Sequence, residues 1–225
     1  MQTLRRLCIP QTALLGLTAP RALPVADMGF SWLHSFRPDG TQVPSSDPER
    51  LRSLLSCCTA FSTFLDQLLV HCGYRAEHVF VLGFSQGAMV ALRTALTYAR
   101  HRLGGAIAVS GMLLREDPLC ELTAMRSLLA DRARVSFTPL LLTHGARDDV
   151  IPVSRMRAQL HTLKKAFAAV HDEPLPSEVC VKEYPSKAHT FLSSQEEVRD
   201  VLSFLAERMR LRSLELERRP DVVIL

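Results

Sequence analysis

Apolar positions follow two rhythms along this chain. Five short runs, at residues 13–17, 79–84, 106–110, 140–143 and 179–184, read as strands. Longer amphipathic stretches separate most of them. In the first, Leu51, Leu54, Leu55, Cys58, Phe61, Leu65, Leu68 and Leu69 recur at helical spacing. Ser46-Asp47-Pro48-Glu49 ahead of it offers a capping box with proline in the first turn. Further helices are predicted over 86–101, 121–130, 153–170 and 194–210. Strands alternating with helices imply right-handed βαβ units and a parallel sheet, which binds ligands at the carboxyl ends of its strands.

Composition narrows the class without changing that picture. The 225 residues suit one α/β domain over residues 1–225, with 211–225 as a tail. A hydrophobic share of 47% against 22% charged excludes extended disorder. The net charge of +4 comes from dispersed Lys and Arg, so no nucleic-acid footprint is expected. Cys8, Cys57, Cys58, Cys72, Cys120 and Cys180 form neither a CxxC pair nor a zinc spacing with histidine. They read as reduced thiols packed as small hydrophobes, with Cys57-Cys58 on a helix. The run from Leu7 to Pro20 is broken by prolines and too short to span a bilayer, and it does not read as a signal peptide. The expectation is a cytoplasmic protein with no integral membrane segment. His34, His71, His78, His101, His161 and His171 form no metal-binding helical pair, so no metal is assigned.

Chemistry enters at the end of the second predicted strand. Gly83-Phe84-Ser85-Gln86-Gly87 is G-x-S-x-G between VFVL and a helical run. That context lets flanking glycines bend the chain and hold a serine hydroxyl above the sheet, at a helix N-terminus. The Gln86 backbone N–H would then face an oxyanion. Taken alone, the segment also suits a glycine-rich turn with a capping serine. A serine nucleophile needs a base, and the base needs an orienting acid. Asp148 follows the strand at 140–143 and His189 follows the strand at 179–184, in the order Ser, Asp, His. Asp148 could instead be a turn carboxylate, with Asp149 as the acid, and His189 a solvated loop residue.

These segments together resemble the phospholipase/carboxylesterase family, which includes acyl-protein thioesterases and small carboxylesterases. The resemblance rests on GFSQG, on His144-Gly145 to Pro152 and on the Tyr184 to His189 loop, and covers about residues 7–209. Gly29-Phe30-Ser31-Trp32 and the GAIAVSG strand at 105–111 add to it. It implies an α/β-hydrolase-like fold, a parallel sheet flanked by helices. It also implies Ser85 as nucleophile, His189 as base, Asp148 as orienter, Gln86 as oxyanion donor and Trp32 beside the substrate. Cleavage of a carboxylic ester or thioester in a small acyl ester or an acylated protein would follow, with no cofactor. The chain departs from the family at its front. The family's opening strand and His-Gly oxyanion loop have no counterpart before Leu7, so the sequence reads as N-terminally truncated, with the strand at 79–84 left at an open edge. The rival expectation is an impaired isoform or a non-catalytic binding protein of the same fold. Residues 112–138 could cap an acyl groove or form a surface excursion. The apolar end, Asp221 to Leu225, reads as a frayed tail or as a peptide ligand.

Overall fold

The computed structural model describes residues 9, 12–24, 29–131, 137–171 and 178–209. The predicted tail, the chain before Ile9 and the end of the last predicted helix lie outside the described residues. Two short strands, β1 (Arg21–Ala22) and β2 (Phe30–Ser31), pair antiparallel. Then follow helix α1 (Pro48–Val70), β3 (Phe80–Phe84), α2 (Gln86–Thr97), β4 (Gly105–Val109), α3 (Leu122–Asp131), β5 (Leu140–Gly145), α4 (Val153–His171), β6 (Val179–Tyr184) and α5 (Gln195–Arg208). The main sheet is parallel, in the order β3-β4-β5-β6. Among the described residues the outer edge of β3 has no partner strand.

The alternation of side chains along a strand sorts the core into two faces. Ala106, Ala108, Leu140 and Leu142 point one way and pack with Leu92 and Leu96 of α2, Met125 and Leu129 of α3, and Met156 and Phe167 of α4. Ile107, Val109 and Leu141 point the other way, onto Val201, Phe204 and Leu205 of α5. Helices therefore cover both faces, as an α/β-hydrolase-like sheet requires.

Helix α1 starts at Asp47, whose side chain accepts from the Glu49 N–H at 2.9 Å. Asp47, rather than Ser46, is the cap, and Pro48 occupies the first turn as expected. By length and composition alone α1 could cross a bilayer. Its Leu54, Cys57 and Cys58 instead pack on Met89 and Val90 of α2 and on Leu33, Leu114 and Ile151. Truncating the fully buried Leu54 to alanine would cost about 2–5 kcal/mol.

Three expectations need correction. Residues 13–17 form no strand, and Leu14, Leu15 and Leu17 are exposed; among the described residues no strand pairs with the run. Helix α2 stops at Thr97 rather than at 101, since Tyr98 turns to an extended conformation and its hydroxyl donates to Asp66 at 2.7 Å. In the stretch 112–138, Met112, Leu113 and Leu114 are buried and α3 inserts Met125 and Leu129 into the core, so that part is packed structure and no surface excursion.

Candidate active site

β3 delivers Ser85 to the carboxyl edge of the sheet. Ser85 holds φ 52° and ψ −117°, a conformation that favours glycine. Such strain costs of order 1–3 kcal/mol and persists only when its surroundings fix it. Here the Ser85 N–H donates to the Val109 carbonyl at 3.0 Å, and the Ser85 carbonyl accepts from the Met89 N–H at 3.1 Å. Close approach explains two glycines. A Cβ on Gly83 would overlap the Gly87 carbonyl, and one on Gly111 would overlap the Ser85 carbonyl.

The turn after β5 carries Asp148. Its side chain is fully buried, and Oδ1 accepts the N–H groups of Val150 at 3.0 Å and Ile151 at 2.7 Å. That leaves Oδ2 for His189, whose Nδ1 lies 2.8 Å away. Nδ1–H donates to the carboxylate, so in the neutral ring Nε2 is the acceptor. Nε2 lies 2.9 Å from Ser85 Oγ. The imidazole also rests on Phe84, with ring centroids 5.1 Å apart, and Phe84 meets Phe191 edge-on. Asp149, the alternative acid, is exposed to solvent.

Gln86 is the first residue of α2, where backbone N–H groups have no partner within the helix. Its side chain has a second set of contacts that sequence reasoning missed. Oε1 accepts the Trp32 N–H at 2.9 Å and sits 2.8 Å from the Ser31 hydroxyl, while Nε2 donates to Ser35 Oγ at 2.9 Å. The amide thus clamps the segment after β2 onto the serine turn. The Trp32 indole Nε1 lies 3.4 Å from where a Cβ on Gly87 would stand, which places Trp32 beside the turn. The Trp32 carbonyl also accepts from Cys57 Sγ at 2.8 Å.

His144 lies near the end of β5, in the segment that carries the family resemblance. It is 1% exposed, its Nε2 donates to the Ile151 carbonyl at 2.7 Å, and the same nitrogen is 3.5 Å from Asp148 Oδ2. Among the described residues its buried Nδ1 has no hydrogen-bond partner. Ser110, at the end of β4, is also strained, with φ 48°. That turn brings Gly111 under Ser85. No sequence signal marks either role, because both depend on residues distant along the chain. Among the described residues no group of three potential metal ligands converges.

A serine on a sharp strand-to-helix turn, with His and Asp on later strand ends of a parallel sheet, defines the arrangement of an α/β-hydrolase. The chain matches the Phospholipase/Carboxylesterase family over residues 19–209 and belongs to it. It is 28% identical over 167 residues to acyl-protein thioesterase 1 of Kluyveromyces lactis, covering 73% of this chain and 63% of that one. It is 27% identical over 158 residues to carboxylesterase SOBER1 of Arabidopsis thaliana, covering 70% of this chain and 60% of that one. The chain thus spans less than two thirds of these relatives. The crystal structure of Arabidopsis thaliana SOBER1 superposes with a TM-score of 0.60 at 25% identity, covering 86% of this chain and 82% of that one. A carboxylesterase from Mesorhizobium loti shares the fold, with a TM-score of 0.61 at 20% identity over 91% of this chain and 80% of that one.

Proposed function

We propose that this protein is a serine hydrolase that cleaves carboxylic ester or thioester bonds of acyl substrates, small esters or acylated proteins among them. The observation that carries the reading is the unbroken hydrogen-bond chain from Ser85 Oγ to His189 Nε2 at 2.9 Å and from Nδ1 to Asp148 Oδ2 at 2.8 Å. Relatives named acyl-protein thioesterase and carboxylesterase support the substrate class.

The geometry supports the following steps. Ser85 Oγ attacks the acyl carbonyl while its proton passes to His189 Nε2. Asp148 holds the ring so that Nε2 is the acceptor and stabilises the imidazolium that forms. The carbonyl oxygen gains charge near the Gln86 N–H, which the start of α2 favours. Collapse expels the alcohol or thiol with the proton from His189, leaving an acyl-Ser85 ester. Water, deprotonated by His189, then releases the acid and restores the serine. The chemistry draws only on these side chains, a backbone donor and water. The proposal extends to a reducing, cytosolic setting, in keeping with Cys57, Cys58, Cys72 and Cys120 as free thiols.

The test is steady-state hydrolysis of paired ester and thioester substrates with one acyl group, in wild type and Ser85→Ala. Turnover of at least one by wild type, with loss of at least about 10³-fold in the variant, is expected. Equal rates in the two proteins would reject the assignment.

A further inference from the structure

Two ionised side chains lie buried outside the proton path. Lys187 is 5% exposed and Glu197 0%, and they form an ion pair between the His189 loop and the first turn of α5. Glu197 has more partners. Its Oε1 accepts from the Thr143 hydroxyl of β5 at 2.8 Å, and its Oε2 accepts from the Ser193 N–H at 3.0 Å. Its own N–H donates to Ser194 Oγ at 3.1 Å, the cap of α5. The backbone of Lys187 is equally engaged. Its carbonyl accepts the N–H of Arg147, next to Asp148, at 3.0 Å. Gly145 packs so closely on that carbonyl that a Cβ there would overlap it. The Ala146 N–H donates to the Tyr184 carbonyl at 2.9 Å. One buried pair thus joins the strand that leads to Asp148, the loop that carries His189, and α5.

Stability alone does not explain charges there. Removing two ions from water costs about as much as their attraction returns, and an apolar pair of similar volume often serves stability as well or better. An ion pair with fixed hydrogen-bond partners adds direction, which apolar packing lacks. Position matters here because Lys187 stands two residues before His189. A misplacement of about 1 Å in a catalytic group can lower turnover by 10². The charged and titratable neighbours of the ammonium are Glu197, Asp148 and the Tyr184 ring, whose centroid is 5.8 Å away. Burial pushes the Lys187 ammonium down, and the bond to Glu197 and the charges of Glu197 and Asp148 hold it up.

We infer that Lys187 and Glu197 are positioning residues: their pair, seated on Thr143 and Ser193, fixes the His189 loop against the Asp148 turn and so sets turnover. The inference rests on the reading of Ser85, His189 and Asp148 given above.

The test compares wild type with the double variant Lys187→Met/Glu197→Leu, using an activated acyl ester and a fluorophosphonate probe. The double variant is expected to melt within a few degrees of wild type and to keep KM within about threefold. Its kcat and its labelling rate are expected to fall together by about 10- to 100-fold. A merely structural pair would lower the melting temperature and leave kcat per folded molecule unchanged. That result, or wild-type kcat in a folded double variant, overturns the inference. Should the double variant not fold, Thr143→Val, nearly isosteric, removes one partner of Glu197 and keeps the pair. A several-fold loss of kcat at constant KM then supports the inference, and unchanged kcat overturns it. Folded wild type that neither hydrolyses the ester nor reacts with the probe sinks the reading of Ser85 itself, and the inference with it.

Discussion

Replacing Asp148 by asparagine probes the site through a single proton. In the native arrangement Oδ1 accepts two backbone N–H groups, from Val150 and Ile151, and Oδ2 accepts the His189 Nδ1–H. Asparagine has one oxygen and one NH2. The two N–H donors dictate that the oxygen takes the Oδ1 position, since an NH2 there would face donors and leave buried groups unpaired at about 1–3 kcal/mol each. The NH2 then points at His189 Nδ1. That nitrogen must become the acceptor, so the ring proton moves to Nε2, which can donate to Ser85 Oγ but no longer accept from it. The base is lost although every heavy atom stays in place. A fall in kcat of about 10⁴, equivalent to about 5 kcal/mol in the barrier, is expected. The assay is steady-state hydrolysis of an activated short-chain ester, with the melting temperature measured alongside. A folded Asp148→Asn protein within tenfold of wild type would refute the tautomer argument, and a larger loss in Asp149→Asn would move the acid by one position.

Other outcomes follow from the same site and its surroundings. Ser85→Ala should abolish labelling by an organophosphonate while the melting temperature moves by only a few degrees; Ser85→Gly should melt above Ser85→Ala in the same scan, because glycine accepts φ 52° without strain. Gln86→Leu keeps the backbone donor but strands the Trp32 N–H and removes the amide donor to Ser35 Oγ. Denaturant titration should show a loss of about 2–4 kcal/mol, and kinetics a rise in KM larger than the fall in kcat. Burial pushes the thiols of Cys58 and Cys120 up to about 11, so at pH 8 only a thiolate fraction of about 10⁻³ is present to react. Peptide mapping after brief alkylation should find the exposed Cys72 modified well before either.

The sheet was legible in the sequence because β3, β4, β5 and β6 are short apolar runs divided by helical patterns. Apolarity alone misled at residues 13–17, where the run has no partner strand among the described residues. The β1–β2 pair was invisible, since strands of two residues carry no periodicity. Ser85, Asp148 and His189 could be singled out because each follows a strand, and a parallel sheet gathers its strand ends at one edge. What the sequence did not disclose were the polar contacts between residues far apart in the chain. The Gln86 amide meets Ser31, Trp32 and Ser35 across more than 50 residues of chain. Lys187 and Glu197 resemble solvated loop and helix charges until the His loop closes over β5. The end of α2 was misjudged for a similar reason, because a tertiary bond from Tyr98 to Asp66 overrides a helical pattern.

The central claim is that Ser85 is a nucleophile activated by His189. The most direct measurement is intact-protein and peptide mass spectrometry after brief exposure to a fluorophosphonate, on wild type and His189→Ala at equal folded fraction. A single adduct on the peptide containing Ser85 is expected in wild type, formed at least about 10³-fold more slowly in His189→Ala. An adduct on another serine, or labelling of Ser85 at the same rate in both proteins, would contradict it.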